Sequence, residues 1–224
     1  MKVYAIVAAG GTGSRFKSSS SRPKQFLKLN NKPVILYSLL ALQKCKAVNH
    51  ITVSADKKYF PLIRRLAKKH RITKLTVFAE AGKTRFESVR NAFRKIKGSE
   101  NDLVLIHDSA RPMINKSDVE KIIEEAKKSR AVIYGIKVSD TIKKSSEGYV
   151  SKTIDRKNLW LIQTPQIFSY KILSDAYNKS KKKSYTDEAA LAEWAGYDVR
   201  IIDGKRRNVK ITAADDFEIV RKLI

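Results

Sequence analysis

The residues best suited to do chemistry stand at the start of the chain. Gly10-Gly11-Thr12-Gly13-Ser14-Arg15 closes an apolar run of strand length over residues 3–9, and Pro23-Lys24-Gln25 follows. Glycine allows positive φ and lets a ligand approach the main chain. The N–H groups of such a turn make a cradle for phosphate oxygens. Arg15 adds a forked donor and Lys24 a point charge. Two familiar glycine loops do not fit. The dinucleotide fingerprint fails because Phe16 stands where its third glycine belongs. It also lacks the acidic ribose ligand expected about 20 residues on. The P-loop pattern fails because Gly82-Lys83-Thr84 has Val77 in the place of its first glycine. A triphosphate cradle and a plain glycine turn at a strand end both remain open on these residues alone.

A second constellation is His107-Asp108-Ser109-Ala110-Arg111-Pro112, which follows another apolar run. Asp108 is placed to ligate Mg²⁺ directly or through water. Arg111 is placed to hold a phosphate by two parallel bonds. A structural Asp–Arg pair is the competing reading. Gln163-Thr164-Pro165-Gln166, Tyr185-Thr186-Asp187-Glu188 and Asn208-Val209-Lys210-Ile211-Thr212 each read as turns or caps in isolation. Thr186 would then be a helix cap, and Lys210 stands out as a cation in an otherwise apolar strand end. The three histidines, His50, His70 and His107, are not arranged as part of a nucleophile–base set.

The elements that must position these groups follow from periodicity. Apolar runs at 3–9, 51–55, 75–79, 102–107 and 131–138 read as strands. Helical patterns fall between them: 33–45 opened by Pro33, 57–70 with Pro61 marking an entry or kink, one capped by Thr84 and Glu87, and one capped by Ser117 and Glu120. Alternation of strand and helix predicts an α/β fold, Rossmann-like, with a mostly parallel sheet covered on both faces. Ligands then sit beyond the carboxyl ends of the strands, where the glycine loop and His107-Asp108 both land. Residues 17–22 read as a flap. The rhythm breaks at 139–160, where 141–144 and 149–154 flank Ser145-Ser146-Glu147-Gly148. That is a hairpin too polar to make its own core, and it is expected to project as an arm. Helices at 170–179 and 186–195, strands at 198–202 and 208–211, and a last helix capped by Thr212 with Asp215 complete one domain over 1–224.

Composition bounds the rest. The 224 residues are 42% apolar, enough for a real core, and no apolar run is long enough to span a membrane. Cys45, the single cysteine, reads as a buried thiol, and a cytoplasmic location follows. The formal net charge of +25 raises a nucleic-acid hypothesis. The lysines are spread over nearly every amphipathic segment with no nucleic-acid motif, so solvated faces and no nucleic acid are expected. The charge would still draw anionic substrates at low salt.

The opening loop with Pro23-Lys24 resembles that of the sugar-phosphate nucleotidylyltransferases. Taken with His107-Asp108-Ser109-Ala110-Arg111-Pro112, Thr153-Ile154-Asp155-Arg156, Leu159-Trp160, Thr164-Pro165-Gln166, Thr186-Asp187-Glu188 and Asn208-Val209-Lys210-Ile211-Thr212, the chain resembles the 2-C-methyl-D-erythritol 4-phosphate cytidylyltransferase family over residues 3–222. Ribitol-5-phosphate cytidylyltransferase is the alternative, and it shares the loop, Thr-Pro-Gln and Asn-x-Lys-x-Thr. The resemblance implies transfer of a cytidylyl group from CTP to a polyol phosphate with Mg²⁺, in isoprenoid precursor biosynthesis. It implies that Ala8, Ala9, Gly10, Gly11, Gly13, Arg15, Lys24, Gly82, Ser88 and Asp108 hold CTP. Asp108, Arg111, Thr141, Arg156, Thr164, Thr186 and Lys210 would hold the acceptor. Arg15, Lys24 and Lys210 would be catalytic. It implies a homodimer through the 139–160 arm, with Arg156 and Thr164 reaching the partner's site. One departure stands out: Ala81 and Lys83 occupy positions where such enzymes often carry glycine and an acid.

Overall fold

The structure is a computed structural model that describes residues 1–11, 16, 22–180 and 184–224. Gly13, Arg15 and most of the 17–22 flap lie outside the described residues.

The chain opens with β1 (Val3–Ala8), then the short paired strands β2 (Lys28–Leu29) and β3 (Lys32–Pro33), then α1 (Val34–Lys44). Three strand–helix units follow: β4 (His50–Ala55) and α2 (Phe60–Lys69), β5 (Leu75–Glu80) and α3 (Arg85–Phe93), and β6 (Leu103–Asp108) and α4 (Lys116–Ser129). The next strand, β7 (Ala131–Lys137), leads into the hairpin β8 (Ile142–Ser146) and β9 (Tyr149–Ile154) in place of a helix. Then come β10 (Trp160–Ser169), α5 (Tyr170–Lys179), α6 (Glu188–Trp194), β11 (Arg200–Asp203) and α7 (Ala214–Leu223).

Seven strands form one sheet in the order β11-β7-β10-β6-β1-β4-β5. All run the same way except β10, which is antiparallel to both neighbours. Both faces are buried, and the period of two in the strands divides the core. Val3, Ala5, Val7, Leu103 and Leu105 face one side, against Ile35, Leu36, Leu39 and Leu42 of α1 and Val119, Ile122 and Ile123 of α4. Tyr4, Ile6, Val104 and Ile106 face the other, against Val89 and Phe93 of α3 and Ile172 and Leu173 of α5. Cys45 is buried within the first of these layers.

The mostly parallel α/β sheet agrees with the expectation. Four local readings need correction. The segment around Gln163-Thr164-Pro165-Gln166, which reads as turns or caps in isolation, lies within strand β10; Pro165, which lacks a ladder donor, sits at a register shift between Gln163 and Gln166, where a strand tolerates proline. Residues 208–211 form no strand: the segment turns on itself through Asn208 N to Lys205 O (2.9 Å) and Val209 N to Arg207 O (2.7 Å). It touches the fold through Ile211 N to Ala110 O (2.9 Å). Helix α4 is capped by Asn115 with Asp118, two residues before the expected Ser117 and Glu120. The last helix uses Asp216, not Asp215, as the partner of Thr212. The arm is present as β8–β9, turned at Glu147 (φ 51°) and Gly148 (φ 86°), with Tyr149 81% and Val150 64% exposed. Among the described residues no helix is long and apolar enough to cross a membrane.

Phe168 of β10 is fully buried in the second core layer. Phe168→Ala is expected to destabilise the fold by about 3–5 kcal/mol. Urea denaturation checks this: the midpoint falls while the slope stays constant.

Candidate active site

Register places the two motifs side by side. Strands β1 and β6 are parallel neighbours, with Ala8 opposite Asp108, so the glycine loop and the His107-Asp108 turn leave the sheet at the same edge. The end of β5 brings Gly82 to the same place. The approach is close: a Cβ on Gly10 would lie 2.3 Å from the Ala81 Cβ and 3.1 Å from the Ser88 Oγ. Gln25 clamps the start of the loop, its Nε2 donating to Ala9 O (2.7 Å) and Gly11 O (3.0 Å). Ser88 shapes the facing turn by accepting from Gly82 N (3.1 Å) and donating to Thr84 O (2.8 Å).

Between these turns lies a cleft of about 530 Å³, within the size range of small-molecule sites. Of the expected residues, Ala8, Gly10, Gly11, Lys24, Gly82, Ser88, Asp108, Thr186 and Lys210 line it. Ala9 is buried beside it and bonded to Ser54 O and Gln25. Thr186 is free to face the cleft because Asp187, not Thr186, caps α6 by accepting from Ala190 N (2.9 Å).

An ion cluster lies under the cleft. Asp108 Oδ1 accepts from Arg85 Nε (2.9 Å) and Oδ2 pairs with Lys210 Nζ (2.6 Å). Arg85 Nη1 also donates to Glu188 Oε2 (2.8 Å), and Glu188 is fully buried. Burial alone would raise the Asp108 carboxyl. The Arg85, Lys210 and Arg111 charges outweigh it and hold Asp108 well below the usual carboxylate range. Burial works against the Arg85 charge as well, but Glu188 and Asp108 raise its affinity for the proton. Burial pushes the Glu188 carboxyl up, with Arg85 pulling the other way. Lys24, Lys83, Arg85 and Lys210 all line the cleft, and among the described lining residues Asp108 is the one acid.

Behind Asp108 stands a neutral relay. Thr164 Oγ1 accepts from Asp108 N (3.0 Å) and donates to His107 Nδ1 (3.2 Å). That assignment leaves His107 Nε2–H to donate to Arg111 O (3.1 Å). Burial lowers the His107 imidazole to about 4.

Four expected acceptor residues lie elsewhere. Thr164 is buried behind Asp108 of its own chain, so it cannot reach a partner's site. Arg111 donates through Nη1 to Asn208 O (2.7 Å) and Nη2 to Ile162 O (3.5 Å). It therefore braces the loop that carries Lys210; its guanidinium hydrogen bonds go to these carbonyls. Thr141 and Arg156 are exposed, outside the cleft of their own chain, and Arg156 donates to Ser139 O. Sequence reasoning missed Arg85, Glu188 and Gln25 as site residues. Arg85 was hidden inside a helix-capping motif. A buried partner for it could not be paired across 103 residues of sequence.

Among the described residues no group of three or more His, Cys, Asp or Glu is placed to hold an ion. Both Asp108 oxygens are already taken by cations. Mg²⁺ is commonly held by one or two carboxylates together with substrate phosphates. The residues here do not cage an ion on their own.

A family model described as "IspD: 2-C-methyl-D-erythritol 4-phosphate cytidylyltransferase" matches residues 3–224. The chain is 36% identical to the enzyme of that name from Syntrophus aciditrophicus over 219 residues, covering 96% of this chain and 92% of the relative. It is 37% identical to that from Endomicrobium trichonymphae over 225 residues, covering 100% and 99%. The crystal structure of the Francisella tularensis enzyme superposes with a TM-score of 0.84 at 30% identity, over 100% of both chains.

The His107 shift has a consequence for stability. The folded value of about 4 lies below the ordinary 6.5, so between them the unfolded chain binds more protons. Stability is full above about pH 6.5 and falls as pH drops toward 4, by on the order of 3 kcal/mol from this group. Denaturation midpoints across that window are expected to show a shallower slope in His107→Asn than in the parent.

Proposed function

The chain belongs to the 2-C-methyl-D-erythritol 4-phosphate cytidylyltransferase family, and we propose that its cleft joins CTP to 2-C-methyl-D-erythritol 4-phosphate with Lys24 and Lys210 as the principal catalytic cations. The family is a nucleotidyltransferase, and its place is in isoprenoid precursor biosynthesis. These relatives do not favour the ribitol-phosphate alternative.

The observation that carries the assignment of residues is the cluster at the strand ends. Two separate chain segments, 24 and 210, bring ammonium groups to one cleft beside a glycine turn. The acceptor phosphate oxygen attacks the α-phosphorus of CTP. A new P–O bond forms there, the bond to the bridging oxygen of the β-phosphate breaks, and pyrophosphate leaves with its electrons. The nucleophile arrives ionised, so no general base is required, in keeping with a His107 that is buried and neutral. The task is to offset repulsion between two polyanions and to stabilise charge growing on phosphorus. Lys210 has three N–H donors and spends one on Asp108, which leaves the others for phosphate oxygens. Gly10 and Gly11 offer main-chain N–H groups, and Gly82 and Ser88 form the opposing wall. A Mg²⁺ bound together with the substrate phosphates would supply charge neutralisation.

A homodimer through the arm and a cytoplasmic location complete the reading. Support for the first is the exposed Tyr149 and Val150 on a hairpin that pairs only with itself, and the position of Arg156 and Thr141 outside their own cleft. Arg156 then serves the partner's site.

Lys24→Ala and Lys210→Ala are each expected to lower turnover at least about a hundredfold in a CTP-dependent pyrophosphate-release assay, with circular dichroism unchanged. Wild-type turnover in either would remove its role. Release with ribitol 5-phosphate but not methylerythritol phosphate would overturn the acceptor. Mixing Arg156→Ala with Lys24→Ala subunits should recover part of the activity through hybrid dimers. No recovery after demonstrated subunit exchange would sink the role in trans.

A further inference from the structure

One carboxylate closes the segment that carries Lys210. Asp216, in the first turn of α7, accepts at Oδ2 from Thr212 N (2.7 Å), Thr212 Oγ1 (2.5 Å) and Ala213 N (2.8 Å). These bonds close the carboxyl end of the irregular segment that carries Lys210. Its amino end is held by Arg111 on Asn208 O and its middle by Ile211 N on Ala110 O. The segment has no ladder of its own, so these anchors set where Lys210 points.

In the same helix turn, the Phe217 ring meets Phe16 edge-on at 6.2 Å between centroids. Burial would raise the Asp216 carboxyl, but the bonds from Thr212 and Ala213, with Lys24 adding to them, hold it below its ordinary value and so keep it charged. Beneath this turn, Val220 and Ile211 share a small core with Leu29, Val34 and Ala110, which fixes α7 to the body of the fold.

We infer that Asp216 is a positioning residue for catalysis: its carboxylate sets the Lys210 segment through the backbone and hydroxyl of Thr212 and the backbone of Ala213. This rests on the reading of Lys210 as a catalytic cation.

The test compares Asp216→Asn, Asp215→Asn and Lys210→Ala by pyrophosphate release, with kcat and KM for CTP resolved. Asp215 is exposed in the same helix turn, so Asp215→Asn removes the same charge without the three bonds. Expected is a fall in kcat of about tenfold or more in Asp216→Asn with KM for CTP within about threefold, and Asp215→Asn near the parent. Thr212→Val, which keeps the charge and removes one bond, gives a smaller loss of kcat and stands in should Asp216→Asn fail to fold. Asp216→Asn or its stand-in at parental turnover, or matched by Asp215→Asn, with Lys210→Ala impaired, overturns the positioning role alone. Lys210→Ala at parental turnover overturns the reading of the site, and this inference with it.

Discussion

The bonds between Asp108 and two cations, Arg85 on one oxygen and Lys210 on the other, are the constraint on which the site depends. A carboxylate this deeply buried stays ionised only with such partners. Arg85 in turn needs Glu188, which is buried completely and caps no helix. The chain therefore cannot change one of these residues without leaving another charge uncompensated. The arrangement fixes Lys210 at the cleft edge before any substrate arrives, which is the condition for electrostatic stabilisation of a transition state without reorganisation.

The sheet supplies the frame for that cluster. Parallel β1 and β6 put Ala8 opposite Asp108, and the crossovers carry α3 and its Arg85 to the same edge. The antiparallel β10 is the element that departs from the βαβ rhythm, and it has a use. Lying beside β6, it delivers Thr164 to the back of Asp108 and His107. With Gln163 and the Thr164 carbonyl it also receives both amide hydrogens of Asn208, at the root of the Lys210 loop. A segment that reads as a series of turns is thus the wall against which the Lys210 loop is built.

Loops in this protein are held by side chains where no ladder is available. Gln25 ties the glycine turn, Ser88 ties the turn that faces it, Arg111 and Asp216 tie the two ends of the Lys210 segment. A phosphate cradle needs N–H groups turned toward a ligand rather than toward each other. The surrounding side chains supply the order that secondary structure would otherwise provide.

The order of strands and helices, the edge at which the motifs emerge, and the pairing of a glycine turn with Lys24 were legible in the sequence. They rest on local periodicity and on glycine's own backbone freedom, both of which are properties of neighbouring residues. The family was legible too, because its motifs are short and ordered along the chain. What the sequence could not show was long-range pairing. Arg85 with Glu188, Asp108 with Lys210, and Thr164 with His107 are joined across many tens of residues, and nothing local marks one partner for the other. The same limit explains the strand β10, whose ladder comes from β6 and β7 rather than from its own pattern, and Arg111, whose donors were spent on carbonyls that only the fold brings near. Local sequence determined which elements form; burial of charge in the folded interior decided which side chains those elements must share.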